Sequence, residues 1–386
     1  MAPQVNSNNQ EEGPLCYEYW KAVIGGAPTS SAVEYALMTD TEIVGEEPDG
    51  CGPYRLINTL AGRGRSGECH PAIVLRVDTS RNFEPSHDPR PMDETETSRY
   101  HGGGINEEIT ALVSLELGIR LKPGRLIRDF RITNDPRGMP VEFEDERNPT
   151  LLTSGRRSIL PYSAGRRSLN DVKLLRTLPL LQPGSAVALV RAARLYQDAL
   201  WIAEAEPQLA WLMFVSAIES AAQHWRVEDV APVDLLKEVN SRLYDILKRG
   251  GDGLVEEVAG EVAPLLKPTK KFITLIITHL PDAPTQRPPE ALRHRWSRTA
   301  IGKSLSTIDE HRSRALHNGT PFPRPMCEPP YLYGDGSGPP PEIPLGEAYS
   351  SLGGTWVKKD MPMLLHTFEY VVRNALLRWW RAMLPE

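Results

Sequence analysis

The sequence predicts an α+β domain over about residues 1–180, followed by an all-α helical domain over residues 184–386. Before residue 180, short runs rich in β-branched and aromatic residues alternate with turn residues, whereas after Pro183 apolar residues recur with a period near 3.6. Length agrees: 386 residues can bury two cores of ordinary size, and a 40% hydrophobic, 24% charged composition lies within globular range.

In the first half, residues 54–60 and 72–77 read as strands separated by a Gly-rich turn, and residues 126–133 as a third. Residues 106–118 read as a helix. Its apolar positions Ile109, Leu112, Val113 and Leu117 fall at three- and four-residue spacings, Asn106 can cap it and Gly118 can stop it. Residues 78–104 and 134–148 are rich in Pro, Asp, Glu and Arg without periodicity, and read as long loops. The strongest basic cluster, Arg156, Arg157, Arg166, Arg167 and Lys173, reads as a solvated linker, with an RNA-facing surface as the alternative.

In the second half, residues 185–204, 208–225, 233–248 and 268–280 read as helices, with a shorter one over 254–266 interrupted by Gly260 and Pro264. Residues 321–344 are too dense in proline and glycine for a helix and read as a surface excursion ending near residue 348. Helical spacing returns over residues 361–384, through Leu365, Phe368, Val372 and Leu376, and should close the domain.

The net charge of -6 and pI near 5.9 argue against a protein that coats nucleic acid non-specifically, because Lys and Arg carry that binding. Cys16, Cys51, Cys69 and Cys327 form no C-x-x-C pair, so neither a disulfide framework nor a zinc site is expected. Residues 1–13 lack the apolar run of a signal peptide, and no apolar stretch approaches the roughly 20 residues that cross a bilayer. A cytoplasmic protein that does not engage membrane is expected.

Some motifs resemble chemistry without its context. Gly62-Arg63-Gly64-Arg65-Ser66-Gly67 fits G-x-G-x-x-G, but a second strand rather than a helix follows, so it reads as a hairpin turn. His101-Gly102-Gly103-Gly104 looks like a lipase oxyanion loop in a chain with no G-x-S-x-G elbow. Cys69-His70 has no second ligand pair, and one of Trp379-Trp380 is expected in the core.

The segment Asp309-Glu310-His311-Arg312-Ser313-Arg314-Ala315-Leu316-His317-Asn318-Gly319 carries the functional expectation. A guanidinium grips phosphate through paired charge-assisted hydrogen bonds, and an imidazole takes and gives protons near neutrality. Residues 304–316 read as a helix stopped by Asn318-Gly319, which puts His317 in its last turn. At about 100° per residue, Arg312 and His317 lie about 140° apart around the axis, while Ser313 lies within about 40° of His317. Bringing guanidinium and imidazole together requires a long reach, a distorted turn or a second copy of the chain.

Arg312-Ser313-Arg314-Ala315-Leu316-His317-Asn318-Gly319 resembles the R-S-x-x-[VL]-H-x-G form of the R-x(4-6)-H signature of HEPN domains, in particular the ApeA-like branch. Phe214-Val215-Ser216-Ala217-Ile218-Glu219-Ser220 is similar to their glutamate-bearing second helix, and Phe368-Glu369-Tyr370-Val371-Val372-Arg373-Asn374-Ala375-Leu376 to their closing helix. The resemblance covers about residues 184–386. It implies an antiparallel helical bundle that commonly dimerises, placing two motifs beside one cleft, and a metal-independent endoribonuclease needing no cofactor. Such proteins act in phage defence, toxin-antitoxin or stress systems. Silent members instead bind RNA, nucleotide or a protein partner.

Under that resemblance Arg312 and His317 are the catalytic pair. His317 would transfer protons at the ribose 2'-hydroxyl or the departing 5'-oxygen, and Arg312 would stabilise the charge that builds on phosphorus. Ser313 and Asn318 are candidate phosphate or ribose partners, and Glu219 would orient His317 or pair with Arg312. The alternative reading is an interhelical ion pair and a helix-end histidine. His311 and His224 read as structural, and the first half as the place where a regulatory protein or ligand acts.

Overall fold

The computed structural model describes residues 12–46, 50–59, 69–79, 95, 103–131, 135–141, 149–151, 157–225, 231–333 and 338–385. Its first half is built on one antiparallel sheet of β1 (Ser31–Thr39), β3 (Tyr54–Asn58), β4 (His70–Thr79), β5 (Lys122–Asp129) and β6 (Met139–Pro140), in the order β3-β4-β1-β5-β6. β2 (Glu42–Val44) pairs in parallel with β7 (Arg166–Ser168). The sheet contains the three expected strands and two that the expectations lack: the short edge strand β6, inside a stretch read as a loop, and the central β1, whose Tyr35 faces Leu75 and whose Leu37 faces Ile73.

Two helices accompany the sheet, α1 (Leu15–Ile24), which the expectations also lack, and α2 (Ile105–Leu117). α2 starts and ends within one residue of its expected span, and Gly118 terminates it at φ 65°, a left-handed conformation that glycine adopts without penalty. Residues 108–117 are all buried, although two of them are glutamates. Each carboxylate has a helix start to satisfy. Glu108 accepts the Cys16 amide at 2.7 Å and the Leu15 amide at 3.3 Å, the unpaired donors at the beginning of α1. Glu116 accepts the amides of Lys173, Leu174 and Leu175, where the 3-10 helix Leu175–Leu180 begins. Burial raises both carboxyls above the ordinary range, and these amides oppose the shift.

The second half is helical: α3 (Pro183–Ile202), α4 (Pro207–His224), α5 (Pro232–Val239), α6 (Ser241–Lys248), α7 (Asp252–Thr278), α8 (Arg298–Asn318) and α9 (Leu365–Ala382). Two expectations need correction. The helix expected over 233–248 breaks at Asn240, which leaves helical geometry at φ -139°, ψ 68° and accepts the Leu243 amide at 3.1 Å to cap the next helix. The two helices expected over 254–266 and 268–280 are one, with Pro264 and Pro268 inside it. Burial of Val255, Ala259, Ala263, Phe272, Leu275 and Ile276 offsets the hydrogen bonds the prolines forgo.

The proline-rich segment is not merely a surface excursion. Phe322 stacks on Trp211 with centroids 5.4 Å apart, Trp211 stacks on Phe368 at 4.8 Å, and Trp211 Nε1 donates to the Met326 carbonyl at 3.2 Å. Arg287 pairs with Glu342 at 2.6 Å, and the segment ends in a hairpin of β8 (Ala348–Ser351) and β9 (Gly354–Val357). Residues 157–173 likewise pack instead of trailing as a linker: Leu160 and Leu169 are buried, and Arg167 donates to the Leu117 carbonyl. The turn at residues 62–67 lies outside the described residues, as do most of the loops expected over 78–104 and 134–148. Both Trp379 and Trp380, not one of them, are buried.

One cluster of buried side chains runs from Cys16 through α2, α3 and α4 to Trp380, crossing the boundary expected near residue 180. Buried polar groups cross it too. Arg120, just beyond α2, pairs with Asp40 at 2.6 Å and with Glu204, at the end of α3, at 3.1 Å. No helix among the described residues is long and apolar enough to cross a membrane.

Candidate functional site

α8 is longer than the segment expected to form it, because Ser297 caps it by accepting the Ala300 amide at 3.2 Å. Ile301, Leu305 and Ile308 are buried at three- and four-residue spacings and turn that face toward α7 and α4. The helix ends at Gly319, φ 63°, where the amides of Gly319 and Thr320 both return to the Arg314 carbonyl. His317 therefore sits in the last turn, exposed, with Ser313 one turn before it and Asn318 next to it, also exposed.

Arg312 is half-buried and faces inward. Its Nη2 lies 2.7 and 2.8 Å from the two carboxylate oxygens of Glu219 on α4, and its Nη1 lies 3.6 Å from Asp309 one turn earlier. Asp309 accepts the Thr269 hydroxyl from α7 at 2.8 Å, so three helices meet at this guanidinium. Burial, foremost, and the nearby Asp309 raise the Glu219 carboxyl above the ordinary range, while Arg312 pulls it down. Counted formally, one cation faces two carboxylates.

The structure thus joins Arg312 to Glu219 and leaves His317, Ser313 and Asn318 on open surface. No hydrogen bond or ion pair connects Arg312 to His317 among the described residues. Within one chain, α8 does not deliver both groups to one phosphodiester. The roles of Asp309 and Thr269 were absent from the sequence expectations, although Asp309 carried a readable signal, being three residues before Arg312 on the same helical face. His311 is buried, donates from Nε2 to the Asp360 carbonyl at 2.8 Å and is pushed down by burial, which suits a neutral structural imidazole. His224 hydrogen-bonds Ser185 at 3.2 Å.

No protein-family model, curated protein or solved structure matches this chain. Among the described residues, no group of three or more His, Cys, Asp and Glu side chains could hold a metal ion.

Proposed function

We propose that the second half of the chain is a HEPN-type helical bundle, and that the protein is a cytoplasmic, metal-independent endoribonuclease of a phage-defence, toxin-antitoxin or stress system. The observation that carries this reading is the end of α8. A proton-transfer group, His317, is presented to solvent one residue before the helix stop, and five residues earlier a guanidinium is fixed by carboxylates from two helices. Because the two groups diverge around one helix, the reading requires a homodimer in which two α8 ends face one groove.

In that groove, one His317 takes the proton from the ribose 2'-hydroxyl, the freed oxygen attacks phosphorus, and the other His317 gives a proton to the departing 5'-oxygen. The products are a 2',3'-cyclic phosphate and a 5'-hydroxyl. General acid-base help of this kind contributes about 10²- to 10⁴-fold. A held guanidinium adds stabilisation where charge builds in the transition state, and lysine lacks its fork.

A second reading rests on a specific observation: the ion pairs of Arg312 with Glu219 and Asp309 occupy part of the guanidinium. A catalytically silent module that binds RNA, nucleotide or a protein partner would keep this arrangement for its stability alone. Incubating the full chain with total RNA in EDTA, followed by end-group analysis for cyclic phosphate, separates the two. Cleavage that disappears in both His317→Ala and Arg312→Lys, with melting unchanged, establishes the nuclease. A wild-type chain that cleaves nothing, yet retains a partner, establishes the module.

A further inference from the structure

A cleft of about 720 Å³ lies between the end of α2, residues 162–174, residues 284–296, residues 340–342 and α9. That volume is in the range of small-molecule sites, about 300–1,000 Å³. Its walls combine cations with aromatic rings.

Arg167 and Arg373 both anchor on main-chain carbonyls at the end of α2: Arg373 Nε donates to Leu115 at 2.9 Å and Arg167 Nε to Leu117 at 3.3 Å. Neither forms an ion pair with a carboxylate among the described residues, and burial, foremost, with the nearby Arg373 lowers the pKa of Arg167. Lys173 and Arg381 add two exposed cations at the same cleft, without hydrogen-bond partners for their side chains among the described residues.

The acids that line the cleft are mostly committed. Glu116 is satisfied by three main-chain amides, Glu342 by Arg287, and Glu369 accepts the Tyr196 hydroxyl at 2.5 Å. Glu369 offsets part of the positive charge from behind, being buried, and Asp171 is the remaining lining acid. Arg167 and Arg373 spend part of their guanidiniums on main-chain carbonyls, so the charges left to meet a ligand are chiefly Lys173 and Arg381 against Asp171, an excess of one cation that favours an anion.

The aromatic wall is rigid. Trp296 and Tyr370 meet edge to face, 5.8 Å between centroids, and each is tied at its polar end: Trp296 Nε1 donates to the Pro281 carbonyl at 2.9 Å and the Tyr370 hydroxyl to the Asp282 carbonyl at 3.0 Å. Both rings are half-buried; the Arg287 guanidinium lies 5.4 Å from the Trp296 centroid and takes one face, which leaves the other for a flat heterocycle. The side-chain amides of Gln286 and Asn374 also line the cleft and can hydrogen-bond base edges.

We propose that this cleft binds a nucleoside monophosphate, its phosphate drawn by Arg167, Lys173, Arg373 and Arg381 and its base by Trp296 and Tyr370. None of the cleft's lining residues belongs to the α8 motif. Because α2 and α9 both bound it, an occupied cleft braces the contact between the two halves of the chain.

The test is isothermal titration of the full chain with AMP, GMP, CMP and UMP, beside adenosine and inorganic phosphate. At least one mononucleotide should bind saturably below millimolar concentration. Joint charge reversal by Lys173→Glu and Arg381→Glu, both at exposed positions, should weaken it by roughly tenfold or more, while the ligand-free melting temperature holds. His317→Ala should leave this binding intact, whatever it does to RNA cleavage. Failure of all four mononucleotides to bind, equal affinity for inorganic phosphate, indifference to the charge reversal, or loss of binding in His317→Ala would each overturn the assignment.

Discussion

Truncating Arg312 to alanine is the most revealing perturbation of the α8 site. Its guanidinium is 25% exposed and the Glu219 carboxylate 17%, between the solvent-exposed and fully buried extremes. Breaking exposed ion pairs costs about 0–1 kcal/mol and buried ones about 3–5 kcal/mol. Arg312→Ala leaves Glu219 and Asp309 facing each other without a cation, and should cost about 2 kcal/mol near neutral pH. Glu219→Ala leaves the guanidinium with Asp309 still 3.6 Å away, so it should cost less, about 1 kcal/mol.

The two variants should also differ in pH dependence. The Glu219 carboxyl already sits above its ordinary value, and losing Arg312 removes the main opposing influence. A carboxyl raised in the folded state binds its proton more tightly there than in the unfolded chain. Its protonation therefore favours folding at low pH, and that benefit fades as pH climbs through the raised value. The stability deficit of Arg312→Ala should shrink between neutral pH and about pH 5, and urea denaturation at both measures it. A deficit smaller than that of Glu219→Ala, or one unchanged by acidification, would refute this account of the site.

Two other substitutions probe neighbouring regions. Burial lowers the His366 imidazole from 6.5 to about 4, although its hydrogen bond to the Pro341 carbonyl resists the shift. A lowered folded value means that stability is lost as pH falls from about 6.5 toward 4, by up to about 3 kcal/mol, and His366→Gln should flatten this limb of the acid-denaturation curve. A Cβ on Gly319 would meet nothing within 4 Å, so Gly319→Ala should cost only the left-handed strain of about 1 kcal/mol while loosening the turn that displays His317. Chemical denaturation and the RNA-cleavage assay would read the two effects separately.

Much of the architecture was legible because local signals agreed with tertiary demand. α2 was found from its apolar spacing and from Gly118, and α8 from Asn318-Gly319, since a left-handed stop is a property of single residues. β1 was not, because the central strand of the sheet is covered on both sides and its Ala, Glu, Leu and Met do not alternate. The fusion of two expected helices into α7 escaped for a related reason: packing overrode Pro264 and Pro268. At the α8 site the motif residues were legible, but their directions were not. Helical geometry warned that Arg312 and His317 diverge, and pairing of Glu219 with Arg312 was one of the two roles open to Glu219, while Asp309 and Thr269 at the same place emerge only in the folded chain. The cleft gave only a partial linear signal: Arg167 and Lys173 belong to the basic cluster read as a linker, but three other separated segments and the end of α2 complete the walls.

The position of α9 has a consequence for how the chain is made. Its residues 365–382 follow α1 to α8 in chain order, yet they supply Phe368 to the Trp211 stack and Arg373 to carbonyls near the end of α2. Until they leave the ribosome, α3 and α4 have an open apolar seam, and the Leu115 and Glu116 carbonyls of α2 lack the Arg373 guanidinium. A nascent chain that has not yet released α9 therefore cannot complete this packing, and whatever chemistry α8 performs waits for α9.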